Sequence, residues 1–195
     1  MLEHPISLIV GLCNPGSQYK NTRHNAGEWF LSALLQAYPI HLRAEKKFKS
    51  ELGLLHVDHH ECHLLKPSTF MNLSGESVAA VANFYKIIPQ SILVAHDELD
   101  LPVGTVRLKK GGGHGGHNGL RSLISCLGTA DFLRLRIGIG HPGQAHLVTN
   151  YVLNRPSCDE ENKIMEAVQK PLSYLNKLLE GKVQAVMNEL HGSEK

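Results

Sequence analysis

The stretch SLIVGLCNPG, residues 7–16, indicates the fold more strongly than any other part of the chain. Ser7–Leu12 is a short run of almost wholly apolar side chains, which is typical of a strand inside a sheet. The residues Asn14-Pro15-Gly16 then predict a tight turn. A second run of the same kind, Ser91–His96 (SILVAH), ends at Asp97. Two such strands predict a buried sheet as the centre of the molecule.

Segments of helix type alternate with strands along the rest of the chain. Thr22 and Ser74 are each expected to cap a helix, and Ser157 with Glu160 fits a capping box that opens a C-terminal helix. Pro171 is expected to kink or split that last helix. The other predicted features are strands at Glu61–Lys66, Val106–Leu108 and Leu133–Ile139, a helix from about Leu120 to Leu127, and apolar helix faces at Trp29, Phe30, Leu34 and Leu35 and at Val78, Val81 and Tyr85. This alternation predicts an α/β three-layer sandwich with helices on both faces of the sheet.

Length and composition favour one globular domain over residues 1–195, with a frayed tail at residues 191–195. Of the 195 residues 42% are hydrophobic and 19% are charged, which argues against wholesale disorder. The formal net charge is only +2, so any binding to nucleic acid must depend on where the cations lie.

Cysteine spacing and the N-terminus predict a soluble cytoplasmic protein. The four cysteines contain no C-x-x-C pair, which favours reduced thiols over a zinc site or a disulfide scaffold. The N-terminus has no basic region, and the apolar run Leu8–Leu12 is too short for a signal core. No stretch approaches the roughly 20 apolar residues that a membrane span requires.

Five polar side chains follow predicted strands or open predicted helices. In open α/β sheets, ligands bind beyond the carboxyl ends of the strands, so these residues are expected to meet at one mouth. They are Asn14, His24, Asn72, Asp97 and Asn118. Such a set predicts a hydrolytic site without a strong serine or cysteine nucleophile motif.

His24 and Asp97 are the expected working pair. A carboxylate on one imidazole nitrogen leaves the other nitrogen to accept a proton from water. A helix N-terminus favours neutral His24, whereas Asp97 favours the charged form, and the sequence leaves this competition open. Each residue also has an ordinary alternative, because His24 can simply cap or pack and Asp97 can start a turn.

The remaining polar signals are weaker and keep their structural alternatives. The three asparagines suit substrate binding, but asparagine is also a common turn residue. The glycine loop GGGHGGHNG, residues 111–119, lets backbone N–H groups approach a phosphate, or is a flexible turn, and matches no nucleotide-binding motif. Arg107, Lys109 and Lys110 precede it and can bind phosphate or face solvent, as can the cluster Lys46, Lys47 and Lys49. The histidine-rich run HVDHHECH, residues 56–63, lacks a metal-binding spacing, and no metal is expected there.

Several ordered blocks together resemble bacterial-type peptidyl-tRNA hydrolases over about residues 7–180. The blocks are LIVGLCNPGSQYKNTRHNAG (8–27), KPSTFMNLSG (66–75), ILVAHDELDLPVG (92–104), GGGHGGHNGL (111–120) and RLRIGIGHP (134–142). The resemblance implies a monomeric single domain around a mixed, twisted sheet. It also implies ester hydrolysis of peptidyl-tRNA with no cofactor and no metal, in the service of translation and ribosome rescue.

The same resemblance implies roles for individual residues. His24 is expected to be the catalytic base and Asp97 its partner. The peptide and the ester region are expected at Asn14 and Asn72, and the substrate and its water at Asn118. Further substrate or tRNA contacts are expected at Tyr19 and Asn25, at Phe70 and Met71 in the peptide groove, at His117, at Arg107 and Lys109 around the tRNA 5′-phosphate, and at Arg136. The partner would be the acceptor stem, the 3′ CCA end and the nascent peptide.

Two other classes of function compete with this reading. One is a non-catalytic RNA-binding protein on the same scaffold, because a fold alone does not prove hydrolysis. Intact His24, Asp97 and the three asparagines favour the enzyme. The other is a metallohydrolase that uses the histidine-rich run, and loss of activity with a chelator would indicate it.

Overall fold

A computed structural model describes residues 4–192 and contains one mixed sheet of seven strands. The strand order is β2-β3-β4-β1-β5-β7-β6. Strands β4, β1, β5 and β7 run parallel to one another, whereas β2, β3 and β6 are antiparallel to their neighbours. The strands are β1 (Leu8–Gly11), β2 (Arg43–Glu45), β3 (Ser50–Val57), β4 (His60–Pro67), β5 (Ile92–Glu98), β6 (Val106–Lys110) and β7 (Leu133–Gly138).

Helices cover both faces of the sheet and create two separate cores. The α-helices are α1 (Ala26–Ala37), α2 (Ser74–Tyr85), α3 (Asn118–Leu127), α4 (Val148–Val152), α5 (Cys158–Ala167), α6 (Leu175–Leu179) and α7 (Val183–Gly192). Side chains alternate along each strand, so Ile9 packs with α1 and α5–α7 while Leu8 and Val10 pack with α2 and α3. The predicted three-layer α/β sandwich with a mixed sheet is therefore confirmed.

Residues 43–57 contain two strands to which the sequence analysis assigns no element. β3 pairs antiparallel with β4 along their full length. β2 adds a three-residue edge strand antiparallel to β3. The histidine-rich run spans the turn of the β3–β4 hairpin and the strand residues on either side of it. His56 lies opposite Glu61, with its Nδ1 3.4 Å from Oε1. Because β4 starts at this turn, the turn lies at the edge of the sheet away from the carboxyl ends of the parallel strands.

Two predicted helix caps and one predicted core position are wrong. Thr22 precedes a 3₁₀ turn, Arg23–Asn25, and its hydroxyl donates to the carbonyl of Tyr19 instead of capping a helix. Ser74 is itself the first residue of α2 and makes no capping hydrogen bond. Tyr85 lies at the exposed end of α2, where its ring packs against His63. In both caps a 3₁₀ turn precedes the α-helix, so the chain enters the helix without the extended cap residue that a side-chain cap needs.

The C-terminal third contains the predicted capping box at Ser157 and the predicted helix break at Pro171. The Ser157 hydroxyl accepts from the N–H of Glu160, and the Glu160 carboxylate accepts from the N–H of Ser157, as in a capping box. Pro171 lies in a 3₁₀ segment, Lys170–Tyr174, that separates α5 from α6, so the helix is split. Residues 191 and 192 of the predicted tail belong to α7, and Nε2 of His191 accepts from the N–H of Leu108. Residues 193–195 of the predicted tail lie outside the described residues.

The close approach of α1 to the sheet positions the turn that precedes it. A Cβ at Gly27 would lie 2.3 Å from the carbonyl oxygen of Ala95 and 2.6 Å from the amide nitrogen of Leu12. Only glycine allows this contact, which brings the 3₁₀ turn at residues 23–25 against the carboxyl end of β5. Among the described residues, no helix has the length and apolar character needed to cross a membrane.

Candidate active site

A cavity of about 900 Å³ opens at the carboxyl ends of the parallel strands. Eleven of the thirteen residues expected in the site line it. They are Asn14, Tyr19, His24, Phe70, Met71, Asn72, Asp97, Lys109, His117, Asn118 and Arg136. The two that do not are Asn25 and Arg107.

His24 and Asp97 form a buried pair within this cavity. The Nδ1 atom of His24 lies 2.9 Å from Oδ1 and 3.1 Å from Oδ2 of Asp97. His24 comes from the 3₁₀ turn before α1, and Asp97 lies near the end of β5. The pairing of Nδ1 leaves Nε2 as the ring nitrogen that can take a proton from a bound molecule.

Arg23 fixes the turn that carries His24. Its buried guanidinium donates to the carbonyls of Tyr151, Asn154 and Arg155 and to the carboxylate of Glu160. These four acceptors lie on α4, on the first residues after it and on α5. Because Arg23 adjoins His24 in the chain, these hydrogen bonds fix the position of the His24 turn relative to α4 and α5.

Asp97 has a second imidazole partner in His117. The Nε2 atom of His117 lies 2.8 Å from Oδ1 of Asp97. The Nδ1 atom of His117 caps α3, because it accepts from the N–H groups of Gly119 and Leu120. An Nδ1 that accepts carries no proton, so the proton of His117 sits on Nε2 and is donated to Asp97.

His24 and Asp97 each shift the pKa of the other. Burial opposes the charge of Asp97, but His24 and His117 outweigh it and hold the pKa of that carboxyl well below its usual range. Burial also lowers the pKa of His24, yet the charge of Asp97 and the hydrogen bond to it raise that pKa above its ordinary value. The sequence leaves open whether the helix N-terminus or Asp97 controls the charge of His24. In the structure Asp97 prevails and favours the charged form.

One group of possible metal ligands exists within the described residues, and its hydrogen bonds conflict with metal binding. The ligand atoms of His24, Asp97 and His117 lie within 4.8 Å of one another. A metal on Nε2 of His117 would need a lone pair there and hence a proton on Nδ1, which would abolish the cap of α3. The donor set thus fits an imidazole–carboxylate–imidazole chain better than a metal site.

Asn14 is held by the backbone and by Asn25. Its Oδ1 accepts from the N–H of Met71 at 2.8 Å, so its amide NH₂ is the group left to donate to a ligand. Asn25 is fully buried, and its side chain bonds both the N–H and the carbonyl of Asn14. Asn25 does not line the cavity, and its polar side-chain atoms hold Asn14 from behind, so in this structure it positions Asn14.

The loop after β4 supplies a partly apolar rim. Phe70 is 53% exposed and meets the ring of Tyr19 edge-on at 6.3 Å. Met71 is buried beneath, and Asn72 is exposed on the next position of the same 3₁₀ turn. Across the cavity Asn118 opens α3, and its Oδ1 accepts from Arg121 at 3.3 Å. Asn118 therefore also presents its NH₂ group.

Basic side chains form one face of the β6–β7 ribbon. Arg107 lies directly opposite Arg136, and Lys109 lies opposite Arg134. Directly opposed like charges destabilise a sheet unless other groups balance them. Arg136 is balanced in part by Glu98, whose Oε2 accepts from its Nε at 2.8 Å. Arg107 is half-buried and lies beside the cavity lining.

The cavity is also lined by Arg134 and His96, which the sequence patterns do not indicate as site residues. Arg134 is buried and donates to the carbonyls of Gly112 and Gly113, so it tethers the glycine loop. Its position two residues before Arg136 placed it on the same strand face, and that spacing was the available signal. His96 is buried beside the ring of His117, and burial lowers its pKa to about 3. No local pattern distinguishes His96 from a core residue.

Comparisons with known proteins agree with this geometry. The family model described as peptidyl-tRNA hydrolase matches residues 8–195. The chain is 54% identical to a peptidyl-tRNA hydrolase of Marinomonas sp. (strain MWYL1), covering 94% of this chain and 95% of the relative. It is 50% identical to that of Neisseria meningitidis serogroup A, covering 97% and 99%.

The fold agrees as closely as the sequence. The crystal structure of peptidyl-tRNA hydrolase from Acinetobacter baumannii superposes with a TM-score of 0.92 at 48% identity, covering 95% of this chain and 94% of that one. The seven-stranded sheet, the polar cavity at its carboxyl edge and these matches over nearly the whole sequence lead to one conclusion: the chain belongs to the peptidyl-tRNA hydrolase family.

Proposed function

We propose that this chain hydrolyses the ester between a peptide and the 3′-terminal ribose of tRNA, with His24 as general base. The observation that carries this proposal is the buried contact of His24 Nδ1 with both carboxylate oxygens of Asp97, inside the cavity at the sheet edge. Free tRNA and a free peptide would be the products, which returns tRNA to translation and rescues peptidyl-tRNA that has stalled or dropped off.

Nε2 of His24 takes a proton from a water molecule as the water oxygen attacks the ester carbonyl carbon. Asp97 stabilises the imidazolium that forms and keeps the ring in the orientation required. The tetrahedral intermediate then collapses, and the ribose 3′-oxygen leaves with the proton that His24 returns. The net reaction consumes one water and yields a peptide carboxylic acid and a tRNA 3′-hydroxyl.

Asn14 and Asn118 are suited to stabilise the oxyanion of that intermediate. The Oδ1 atom of each already accepts a hydrogen bond from within the protein, so each presents N–H donors. Donors placed where negative charge develops are worth more than donors in water, since the cavity walls are already organised.

Selectivity for peptides follows from the rim at Phe70, Met71 and Asn72. Asn72 is suited to bind a peptide-backbone group that an aminoacyl-tRNA lacks, and Phe70 with Tyr19 gives the chain an aromatic surface. A free α-amine in this groove would also bear a desolvation cost because it is charged.

The basic face on β6 and β7 is suited to the phosphates of the acceptor stem. Lys109 and Arg136 line the cavity, and Arg107 lies on the same strand face beside it. This arrangement favours the 5′-phosphate near Lys109 while the 3′ CCA end reaches His24. We further infer a monomer in the cytoplasm that works without cofactor or metal.

Release of labelled N-acetyl-amino acid from tRNA tests this function. Wild type should retain turnover in a chelator, whereas His24→Ala should lose about 10²–10⁴-fold in kcat. His56→Ala, an exposed histidine at the far hairpin turn, is the matched control and should match wild type. Loss of wild-type turnover with the chelator would indicate a metallohydrolase. Absent turnover with retained tRNA binding would indicate an RNA-binding protein.

A further inference from the structure

Asp97 binds two imidazoles, although a general base requires only one. Its Oδ1 lies 2.9 Å from Nδ1 of His24 and 2.8 Å from Nε2 of His117. The two rings lie 4.8 Å apart at an angle of 48°. One carboxylate oxygen is therefore shared between the proposed base and a second histidine from the other side of the cavity.

The protonation state of His117 is set by the helix that follows it. His117 is the N-cap of α3, and its Nδ1 accepts from Gly119 N–H at 3.1 Å and Leu120 N–H at 3.3 Å. The ring must therefore carry its proton on Nε2 and donate it toward Asp97. A Cβ at Gly119 would meet the sulfur of Met71 at 2.6 Å, so this turn is also packed tightly against the cavity floor.

A donor on a carboxylate competes with every other group that the carboxylate stabilises. We propose that His117 is a positioning residue whose fixed Nε2–H restrains Asp97 and limits how strongly Asp97 favours the protonated form of His24. This role rests on the proposed function, in which His24 acts in its deprotonated form. By sharing Oδ1, His117 keeps more of His24 deprotonated at neutral pH than Asp97 alone would allow.

Other charged and titratable groups around the pair do not duplicate this contact. His96 donates through Nδ1 to the backbone carbonyl of Asp97 and not to its carboxylate. Glu98 pairs with Arg136, and Arg134 binds the glycine loop. Among the described residues, the other charged or titratable side chains that line the cavity are those of Tyr19, Asp100, Lys109, His114, Arg121 and His141.

Replacement of His117 by asparagine separates the two functions of the imidazole. Asparagine is a good N-cap, so the N–H groups of Gly119 and Leu120 keep an acceptor. Its side chain is too short to reach Asp97, so only the donor to the carboxylate is lost. His114→Asn is the matched control, because His114 lies in the same loop and its Nδ1 accepts from Gly116, with no contact to Asp97.

The readout is the titration of His24, followed by NMR of the imidazole and by the acid limb of the pH–rate profile. Wild-type activity should rise with pH through a value above 6.5, because the pKa of His24 is raised. In His117→Asn the Asp97 carboxylate loses a donor and stabilises the His24 cation more strongly. Both readouts should shift upward by about 0.5–1 pH unit, with no shift in His114→Asn.

Either no shift or a downward shift in a folded His117→Asn protein would overturn the proposal and leave His117 as a helix cap only. If the His117→Asn protein does not fold, a measurement on the wild type still tests the proposal. The ¹⁵N spectrum of wild-type His117 should show the neutral Nε2–H tautomer, and a protonated Nδ1 would equally overturn the proposal.

Failure of this inference can be told from failure of the proposed function. The NMR titration of His24 needs no turnover, so it reports the His117 effect even if the chain does not hydrolyse peptidyl-tRNA. Conversely, wild-type turnover that depends on His24, with an unshifted titration in His117→Asn, would preserve the hydrolase and reject only the role of His117.

Discussion

Hydrogen bonds within the protein decide which atom each polar side chain of the site presents to a ligand. The N–H of Met71 donates to Oδ1 of Asn14, and the N–H groups in the first turn of α3 donate to Nδ1 of His117. In the same cavity Asn14 and Asn118 therefore present N–H donors, and His24 presents Nε2 as a basic acceptor. This polarity suits a carbonyl that becomes an oxyanion next to a water that loses a proton.

At the residue scale, Asn72→Ala should weaken use of peptidyl-tRNA more than it slows attack by water. Removing Asn72 leaves a peptide group without its partner, which costs about 1–3 kcal/mol, or roughly 5- to 150-fold in kcat/KM. Single-turnover rates at saturating N-acetyl-aminoacyl-tRNA should stay near wild type. Leu73→Ala, the adjacent exposed position outside the cavity lining, is the control. Unchanged binding and rate in Asn72→Ala would reject its assignment.

At the scale of elements, the site depends on α1 lying unusually close to the sheet. α1 contacts β1 and β5 through Gly27, and the 3₁₀ turn that carries His24 runs directly into α1. On the other side Arg23 bonds carbonyls at the end of α4. The imidazole is thus placed by a helix, a sheet and a loop that are distant in the sequence.

Gly27→Ala should therefore damage stability and activity together. The new Cβ would lie 2.3 Å from backbone of β5, so α1 must move, and overpacking of this kind costs about 1–3 kcal/mol. For a domain of this size we expect a fall in Tm of roughly 2–12 °C. The fraction of protein that stays folded should also show reduced kcat. Gly192→Ala, a helical glycine with open space around it, should keep the wild-type Tm and kcat. Equal Tm values for the two variants would contradict this account of α1.

At the scale of the molecule, charge placement matters more than net charge. The formal net charge is +2, yet Arg107, Lys109, Arg134 and Arg136 lie together on one face of β6 and β7. The opposite face of the same ribbon contributes apolar side chains such as Leu108 and Leu135 to the core. A weakly charged protein can therefore still present one strongly basic surface next to its cavity.

Lys109→Ala should weaken tRNA binding and reduce its dependence on salt. If Lys109 neutralises one phosphate, the slope of log K against log salt concentration should fall in magnitude by about 0.7–0.9. Lys110→Ala removes the same charge from the next residue, which points to the opposite face of the ribbon, and it should leave the slope unchanged. Equal effects of the two variants would show that only overall charge matters and would reject the proposed phosphate contact.

The sequence by itself determined the α/β class, the buried strands β1 and β5, the capping box at Ser157 and the break at Pro171. These features depend on local periodicity and turn chemistry, which neighbouring residues encode. The sequence also predicted that His24, Asp97 and the three asparagines meet at one cavity, because residues that follow parallel strands share an edge of the sheet.

Only the tertiary structure decided how those residues are used. It added the strands at residues 43–57, turned Asn25 inward behind Asn14, and made His117 the second partner of Asp97. It also assigned Arg134 to the glycine loop. Each of these contacts joins groups that are far apart in the chain, His24 and Asp97 by 73 residues and Arg134 and Gly113 by 21. Local patterns carry no information about such partners, because a hydrogen bond depends on the direction and distance that the packed layers impose.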